Sequence, residues 1–260
     1  MNNSPAGAQA VARALRLLDL FTDQRPTLNA SDAAAAAGLN RTTAYRLLSA
    51  LEDVGLLARN PDDELYRLGP GAIALGARAM RANPLERAAQ PELQGLATHS
   101  GETATLELPA GRDMLIVSEI VSAHLLGSAP SLGTRWPMYA TSTGKAYLAA
   151  LPADARTAWL DDAGRLKAWT PRTLTDRGAL TRQLDTARRA GYAVVREELE
   201  LGFAACGAAV MDHRGLPVGA ISLGGPSARL TTKRLRELGT AVAQAAARVS
   251  ATMGYIATGH

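Results

Sequence analysis

Cys206 is the only cysteine in a chain of 260 residues. Without a second thiol no internal disulfide can form and no cysteine cluster can bind zinc. That scarcity fits a reducing cytoplasm, the expected compartment. Histidine is also sparse: His99, His124, His213 and His260 are scattered, with no metal-ligand spacing. Neither a metal nor another cofactor is expected. No run of about 18 apolar residues is present to span a membrane. Met1 to Gly7 lacks the charged-then-apolar layout of a signal peptide. Aromatic residues make up only 4% of the chain, so the apolar 47% is mostly Ala, Leu and Val. Such cores favour closely packed helices, and a mixed α and β protein rich in helix follows.

A net charge of +4 and a pI near 9.5 hint weakly at nucleic acid. The distribution removes the hint. Residues 1–70 carry seven arginines (13, 16, 25, 41, 46, 59 and 67) against eight acidic residues (19, 23, 32, 52, 53, 62, 63 and 64). Any case for DNA must rest on where the arginines sit.

Residues 2–7 read as an irregular start. Val11, Ala14, Leu15, Leu17, Leu18 and Phe21 recur at helical spacing and predict an amphipathic helix over 9–21. Residues 27–29 read as a short extended piece. A second helix is expected over 32–37, with Ser31 as its cap and Asp32 favourable in its first turn. Gly38 suits the left-handed residue that closes a helix. A third helix follows over 41–54, with Ala44, Leu47, Leu48 and Leu51 on one face. Strands at 56–59 and 66–68 flank Asn60-Pro61-Asp62-Asp63, a run of turn formers. A short helix over 73–81 leads to a boundary at Asn83-Pro84.

The remainder mixes both element types. Helices are expected over 85–99, 143–150, 154–161, 176–190 and 231–253. Strands are expected over 103–108, 114–120, 192–196, 207–212 and 218–223. The organisation is therefore 1–70, a linker helix within 71–83, and a second domain over 84–260.

Helix, tight turn, helix and hairpin is the order of a winged helix-turn-helix. The third helix of that motif buries one face and offers the other to the major groove. Here the outer face holds Arg41, Thr42, Thr43, Tyr45 and Arg46 in its N-terminal half. Arginine can grip guanine O6 and N7 with two hydrogen bonds, and threonine can donate to phosphate. Arg59, Asn60 and Arg67 lie in or beside the hairpin, where a wing would touch backbone or minor groove. Asp62-Asp63-Glu64 argues against its very tip touching phosphate.

Several of these segments resemble the IclR family of bacterial transcription regulators. The resemblance runs through VARALRLLDLF, NRTTAYRLLSALEDVGLL, YRLGP, YATSTGKAYLA, TPRTLTD, GYAVVREELELG and AISLGGPSARLTTKRL. It implies an α+β protein: a winged helix-turn-helix, a linker helix and a GAF/PAS-like effector domain with an antiparallel sheet flanked by helices. It further implies a homodimer or dimer of dimers, a palindromic double-stranded promoter site, and a small-molecule effector, usually a carboxylate. By the same resemblance the recognition positions fall on Arg41, Thr42, Thr43, Tyr45 and Arg46.

The resemblance also maps an effector pocket. A ligand carboxylate would meet backbone amides at Ser142 and Thr143, ahead of Gly144-Lys145, and a free helix N-terminus suits an anion. Ser222 matches a second pocket position, and Leu125, Trp136, Tyr139 and Cys206 are further candidates. Three positions depart from the family. Its frequent cysteine falls at Ala205, an acidic position at Val195 and a second serine at Gly224. These losses imply a ligand less hydrophilic than a small dicarboxylate or keto acid, such as an aromatic acid.

Enzyme-like patterns fail on their spacing. Ser142-Thr143-Gly144-Lys145 echoes the end of a phosphate-binding loop, yet Tyr139 and Ala146 stand where that loop needs Gly and Ser or Thr. Ala220-Ile221-Ser222-Leu223-Gly224 lacks the first glycine of a nucleophile elbow. The chain is read as a non-enzymatic regulator. The alternative kept open is a metabolic enzyme or ligand-binding protein with a helical N-terminal module.

Overall fold

A computed structural model of the chain describes residues 6–22, 24–121 and 132–256. It divides into two compact units between Ala82 and Asn83.

The first unit holds α1 (Ala6–Leu18), α2 (Ala30–Ala37), α3 (Arg41–Asp53), β1 (Leu57–Arg59), β2 (Tyr66–Leu68) and α4 (Pro70–Ala82). Leu17, Phe21, Leu28, Leu47, Leu48, Leu51, Leu57 and Tyr66 form its core. The α2–α3 turn is set by local chemistry. Gly38 takes a left-handed φ of 64° and donates its N–H to Ala34 and Ala35. Asn40 then caps α3 by accepting from the Thr43 N–H. β1 and β2 pair antiparallel, Leu57 opposite Leu68, and Leu28 adds an isolated bridge to Tyr66.

Three local differences from the sequence reading have physical causes. Asn29, not Ser31, caps α2, because its side chain accepts from the Asp32 N–H. That leaves the Ser31 hydroxyl to receive the Arg41 guanidinium, with Nη2 at 2.5 Å. α1 takes in Ala6 and Gly7 from the expected irregular start and ends at Leu18. Leu20 and Phe21 donate three residues back, to Leu17 and Leu18, which makes a turn rather than further helix. α4 begins at Pro70, where a missing N–H costs nothing in a helix's first turn.

The second unit runs through α5 (Pro84–Ser100), β3 (Thr103–Ala110), β4 (Asp113–Ile120), β5 (Arg135–Pro137), a 3-10 turn (Met138–Ala140), α6 (Ser142–Ala150), α7 (Ala153–Asp162), α8 (Arg177–Ala190), β6 (Ala193–Arg196), β7 (Phe203–Met211), β8 (Pro217–Pro226) and α9 (Thr232–Thr252). The six strands form one antiparallel sheet in the order β5-β4-β3-β8-β7-β6. α5 and α9 cover one face: Gln90 of α5 bonds Ser118, and Ser250 of α9 accepts the Met211 N–H. α6 covers the other, its first turn seated on Gly207. The core beneath α6 gathers Met114, Met138, Leu148, Leu160, Leu180 and Leu184. β7 and β8 are longer than expected, because small residues such as Ala204, Ala205, Gly224 and Gly225 extend the pairing to Phe203↔Pro226.

Candidate DNA-reading surface and effector site

α3 separates two faces by its spacing. Ala44, Leu47, Leu48 and Leu51 are buried. Arg41, Thr42, Tyr45 and Arg46 are exposed, and Thr43 is half-buried. This unit therefore offers one helix face of cations, hydroxyls and one phenol. Arg41 is partly tied down by its bonds to Ser31. Arg67 is exposed on β2. Arg59 differs: its guanidinium lies 3.6 Å from Glu64, 3.9 Å from Glu52, and over the Tyr66 ring at 5.9 Å. Its charge is locally balanced.

In the second unit the antiparallel register sorts the expected effector residues. Directly opposed residues share a face, so each cross-strand row can be assigned. One row on the α6 face reads Val195, Ala205, Gly224. The next reads Gly207, Ser222, Thr105. A third holds Ala220, Glu107 and Ile116. Trp136 pairs with Met114, the buried β4 residue beneath α6, and is half-buried. A Cβ on Gly207 would come within 3.0 Å of the Ser142 carbonyl carbon and the Thr143 nitrogen. Only glycine lets the helix start approach the strand this closely.

That helix start is a donor site. Thr141 caps it by accepting from the Gly144 N–H at 3.1 Å, and the Lys145 N–H returns to the Thr141 carbonyl. Among the described residues no acceptor meets the N–H groups of Ser142 and Thr143. The Ser142 side chain likewise bonds none of them, although the residue is only 3% exposed.

Of two further expected residues, one faces away from α6 and the other has its hydroxyl committed. Cys206 sits between Val194 and Leu223, in the row facing α5 and α9, and is fully buried. Burial pushes its thiol up to about 12. Tyr139 is buried, and its hydroxyl donates to the Lys167 carbonyl at 2.9 Å while accepting from Trp169 Nε1. Its polar end is therefore already occupied. Leu125, like His124 and His260, lies outside the described residues.

Three side chains on the α6 face were not anticipated. Glu107 is 6% exposed; it accepts from Thr105 at 3.1 Å and from Thr143 at 2.6 Å. Thr105 lies 2.8 Å from Ser222. Burial pushes Glu107 up to about 7 against those two hydroxyls. Phe203 puts its ring against Gly224, where a Cβ would meet Cζ at 2.6 Å. A strand reading of 103–108 already contained the signal for Thr105 and Glu107. Alternation puts both on one face, and a charged residue in mid-strand demands a reason.

Behind the site, Lys145 is fully buried with its ammonium 2.5 Å from both Glu198 and Gln183. Burial lowers its proton affinity and the Glu198 carboxylate restores part of it. A hollow of about 550 Å³ opens after α7, lined by Gly164, Arg165, Leu166, Lys167, Ala168 and Thr175, and holds none of the expected residues. Among the described residues no three His, Cys, Asp or Glu side chains gather as metal ligands. Nor is any helix among them long and apolar enough to cross a membrane.

Comparison with known proteins covers both units. Residues 10–61 match the IclR helix-turn-helix domain, and residues 77–251 match the bacterial transcriptional regulator IclR C-terminal domain. The repressor AllR of Klebsiella pneumoniae is 30% identical over 248 residues, 95% of this chain and 91% of that protein. The crystal structure of an IclR-type regulator from Alicyclobacillus acidocaldarius has 29% identity and a TM-score of 0.85, covering 95% and 99% of the two chains. An IclR homologue from Microbacterium hydrocarbonoxydans, solved with 4-hydroxybenzoate, has 25% identity and a TM-score of 0.81, covering 94% and 98%.

Proposed function

The chain belongs to the IclR family and is a ligand-responsive DNA-binding transcription regulator, and from that premise we propose how its residues divide the work. The N-terminal domain is residues 1–70, the linker 71–83 and the effector domain 84–260. α3 enters the major groove with Arg41, Thr42, Tyr45 and Arg46 on its exposed face, and Thr43 at its start meets phosphate. Arg67 contacts backbone from the wing, with Arg59 beside it. Two copies of the chain read a palindromic site, their half-sites about 34 Å apart or a multiple of it. Val11, Leu15, Ile73 and Leu75, all more than half exposed, give a second copy apolar surface to cover.

The effector is a small organic acid. Its carboxylate meets the Ser142 and Thr143 N–H groups and the Ser142 hydroxyl, with Ser222 beside them. The observation that carries this reading is a pair of N–H groups, met by no acceptor among the described residues, at a buried helix start facing the sheet. The body of the acid lies along Val195, Ala205, Gly224 and the Phe203 ring, a lining that favours an aromatic frame. The homologue holding 4-hydroxybenzoate supports an aromatic acid. The acid changes DNA affinity by preferring one arrangement of the regulator, a coupling of about 1–3 kcal/mol.

Mobility-shift titration against the chain's own upstream DNA tests the first half. Tight binding that falls steeply with salt is expected. Binding unchanged in Arg41→Ala and Arg46→Ala would remove α3 as the reading helix. A thermal-shift screen of aromatic and aliphatic acids, repeated in Ser222→Ala, tests the second. A ligand indifferent to changes at Ser142, Thr143 and Ser222 binds somewhere else.

A further inference from the structure

Glu107 stands in mid-strand on the α6 face, and its environment is unusual for a buried acid. A carboxylate out of water ordinarily faces a cation or several backbone N–H groups. Here Oε1 meets only Thr105 Oγ1 and Oε2 only Thr143 Oγ1. The elements packed around it bring no balancing charge among the described residues. From α6, Lys145 directs its ammonium to Glu198 and Gln183. From β4, the group opposite Thr105 is another acid, Glu119, and Ile116 lies opposite Glu107 itself. β8 contributes Ala220 and Ser222. The 3-10 turn brings Tyr139, whose hydroxyl is engaged with Lys167 and Trp169.

Hydroxyl protons decide what this face shows a ligand. Each hydroxyl has one proton to give. With Glu107 ionised, Thr105 and Thr143 both donate to it. Thr105 can then only accept from Ser222, so the Ser222 proton also turns inward. All three hydroxyls present lone pairs to the site, which repel an anion. With Glu107 protonated, its own proton goes to Thr105 and Thr105 donates to Ser222. The Ser222 O–H is released toward the site. A negative charge also disappears from beside Thr143, whose N–H is a proposed carboxylate donor.

We infer that Glu107 is a specificity-determining residue of the effector site, and that a carboxylate effector enters together with one proton that comes from solvent and resides on Glu107. This rests on the carboxylate reading of the α6 N-terminus. A ligand carboxylate on the Thr143 N–H and the Glu107 carboxylate on the Thr143 hydroxyl are like charges on one residue, and each favours the protonated form of the other. The acids selected are monocarboxylates, whose single charge accompanies that proton. A dicarboxylate would bring a second charge with no partner.

The test uses benzoate, 4-hydroxybenzoate and pyruvate as probes. Each is titrated calorimetrically into the full chain and into Glu107→Gln, in phosphate and in Tris, from pH 6 to 8. The wild type is expected to take up close to one proton per ligand at pH 8. Its affinity should weaken about tenfold from pH 6 to 8, as follows for a required proton on a group titrating near 7. Glu107→Gln keeps an uncharged donor in place and should bind with flat affinity and no proton uptake. Proton uptake by the wild type needs no variant, so a poorly folded Gln protein leaves the test intact. Wild-type binding that is flat in pH and moves no proton overturns the inference yet leaves the carboxylate site standing. Failure of all three acids to bind either protein removes the site and the inference together.

Discussion

The ring of Phe203 occupies the space that any side chain on Gly224 would need, with Cζ 2.6 Å from the position of a Cβ there. The two residues are diagonal neighbours on paired strands, since Ala205 lies opposite Gly224 and Phe203 opposite Pro226. Their identities are therefore coupled. Gly224→Ser must push the ring aside, and overpacking of this kind costs about 1–3 kcal/mol. In a Phe203→Ala background the same Gly224→Ser change should cost much less, and the double variant should move ligand preference from aromatic toward small polar acids. Urea denaturation and the acid screen on the single and double variants read the two effects. Additive costs would mean that the residues do not compete for space.

Stability should fall with rising pH through Glu107. Its folded-state value, about 7, lies above the ordinary 4.5, so the folded chain holds the extra proton between those values. The contribution is complete below about 4.5 and is lost as pH climbs through 7. The largest possible size is about 3 kcal/mol, from 1.36 kcal/mol per unit. Glu107→Gln should therefore gain on the wild type at pH 8 and show little difference at pH 5. Equal midpoints for the two proteins at pH 8 would mean that the carboxyl is well solvated.

The Lys145–Glu198 pair gives a different signature. Lys145 is fully buried and the Glu198 side chain is 7% exposed. Removing only the lysine charge, as in Lys145→Met, strands a buried carboxylate and should cost about 3–5 kcal/mol. Lys145→Met with Glu198→Gln should cost much less. Chemical denaturation of the wild type, the two single variants and the double variant measures the coupling. A double variant as unstable as the single one would assign the loss to packing.

On α3, Arg46 is exposed, while Arg59 on the wing is flanked by Glu64 and Glu52. Arg46→Ala should cost about 1–3 kcal/mol of operator affinity. Arg59→Ala should cost far less, and Glu64→Gln should strengthen binding at low salt by freeing the Arg59 charge. Mobility shifts at two salt concentrations decide. Equal losses for the two arginines would show that Arg59 leaves its acids to meet DNA.

The reader was more legible in the sequence than the sensor for a physical reason. Helical spacing exposes the burial of Leu47, Leu48 and Leu51 directly, and turn formers mark the hairpin. The effector face depends on which strands pair and in what register, and neither is a local property. β5 is three residues long and leaves no pattern of its own. Ala205 and Cys206 were read together, yet a two-residue period sends neighbours to opposite faces. Phe203 lay outside the expected strand, so its meeting with Gly224 was hidden.

The burial of Cys206 has a practical consequence. The chain's single thiol is sealed on the far side of the sheet, with its proton held up to about 12. Thiolate, the form that reacts with an alkylating reagent, is almost absent until the domain opens. Labelling of Cys206 therefore times the opening of the sensor, one event per molecule. A compound that binds the closed domain must slow that clock in proportion to its occupancy. The regulator thus carries its own assay for an effector whose name nobody needs to know in advance.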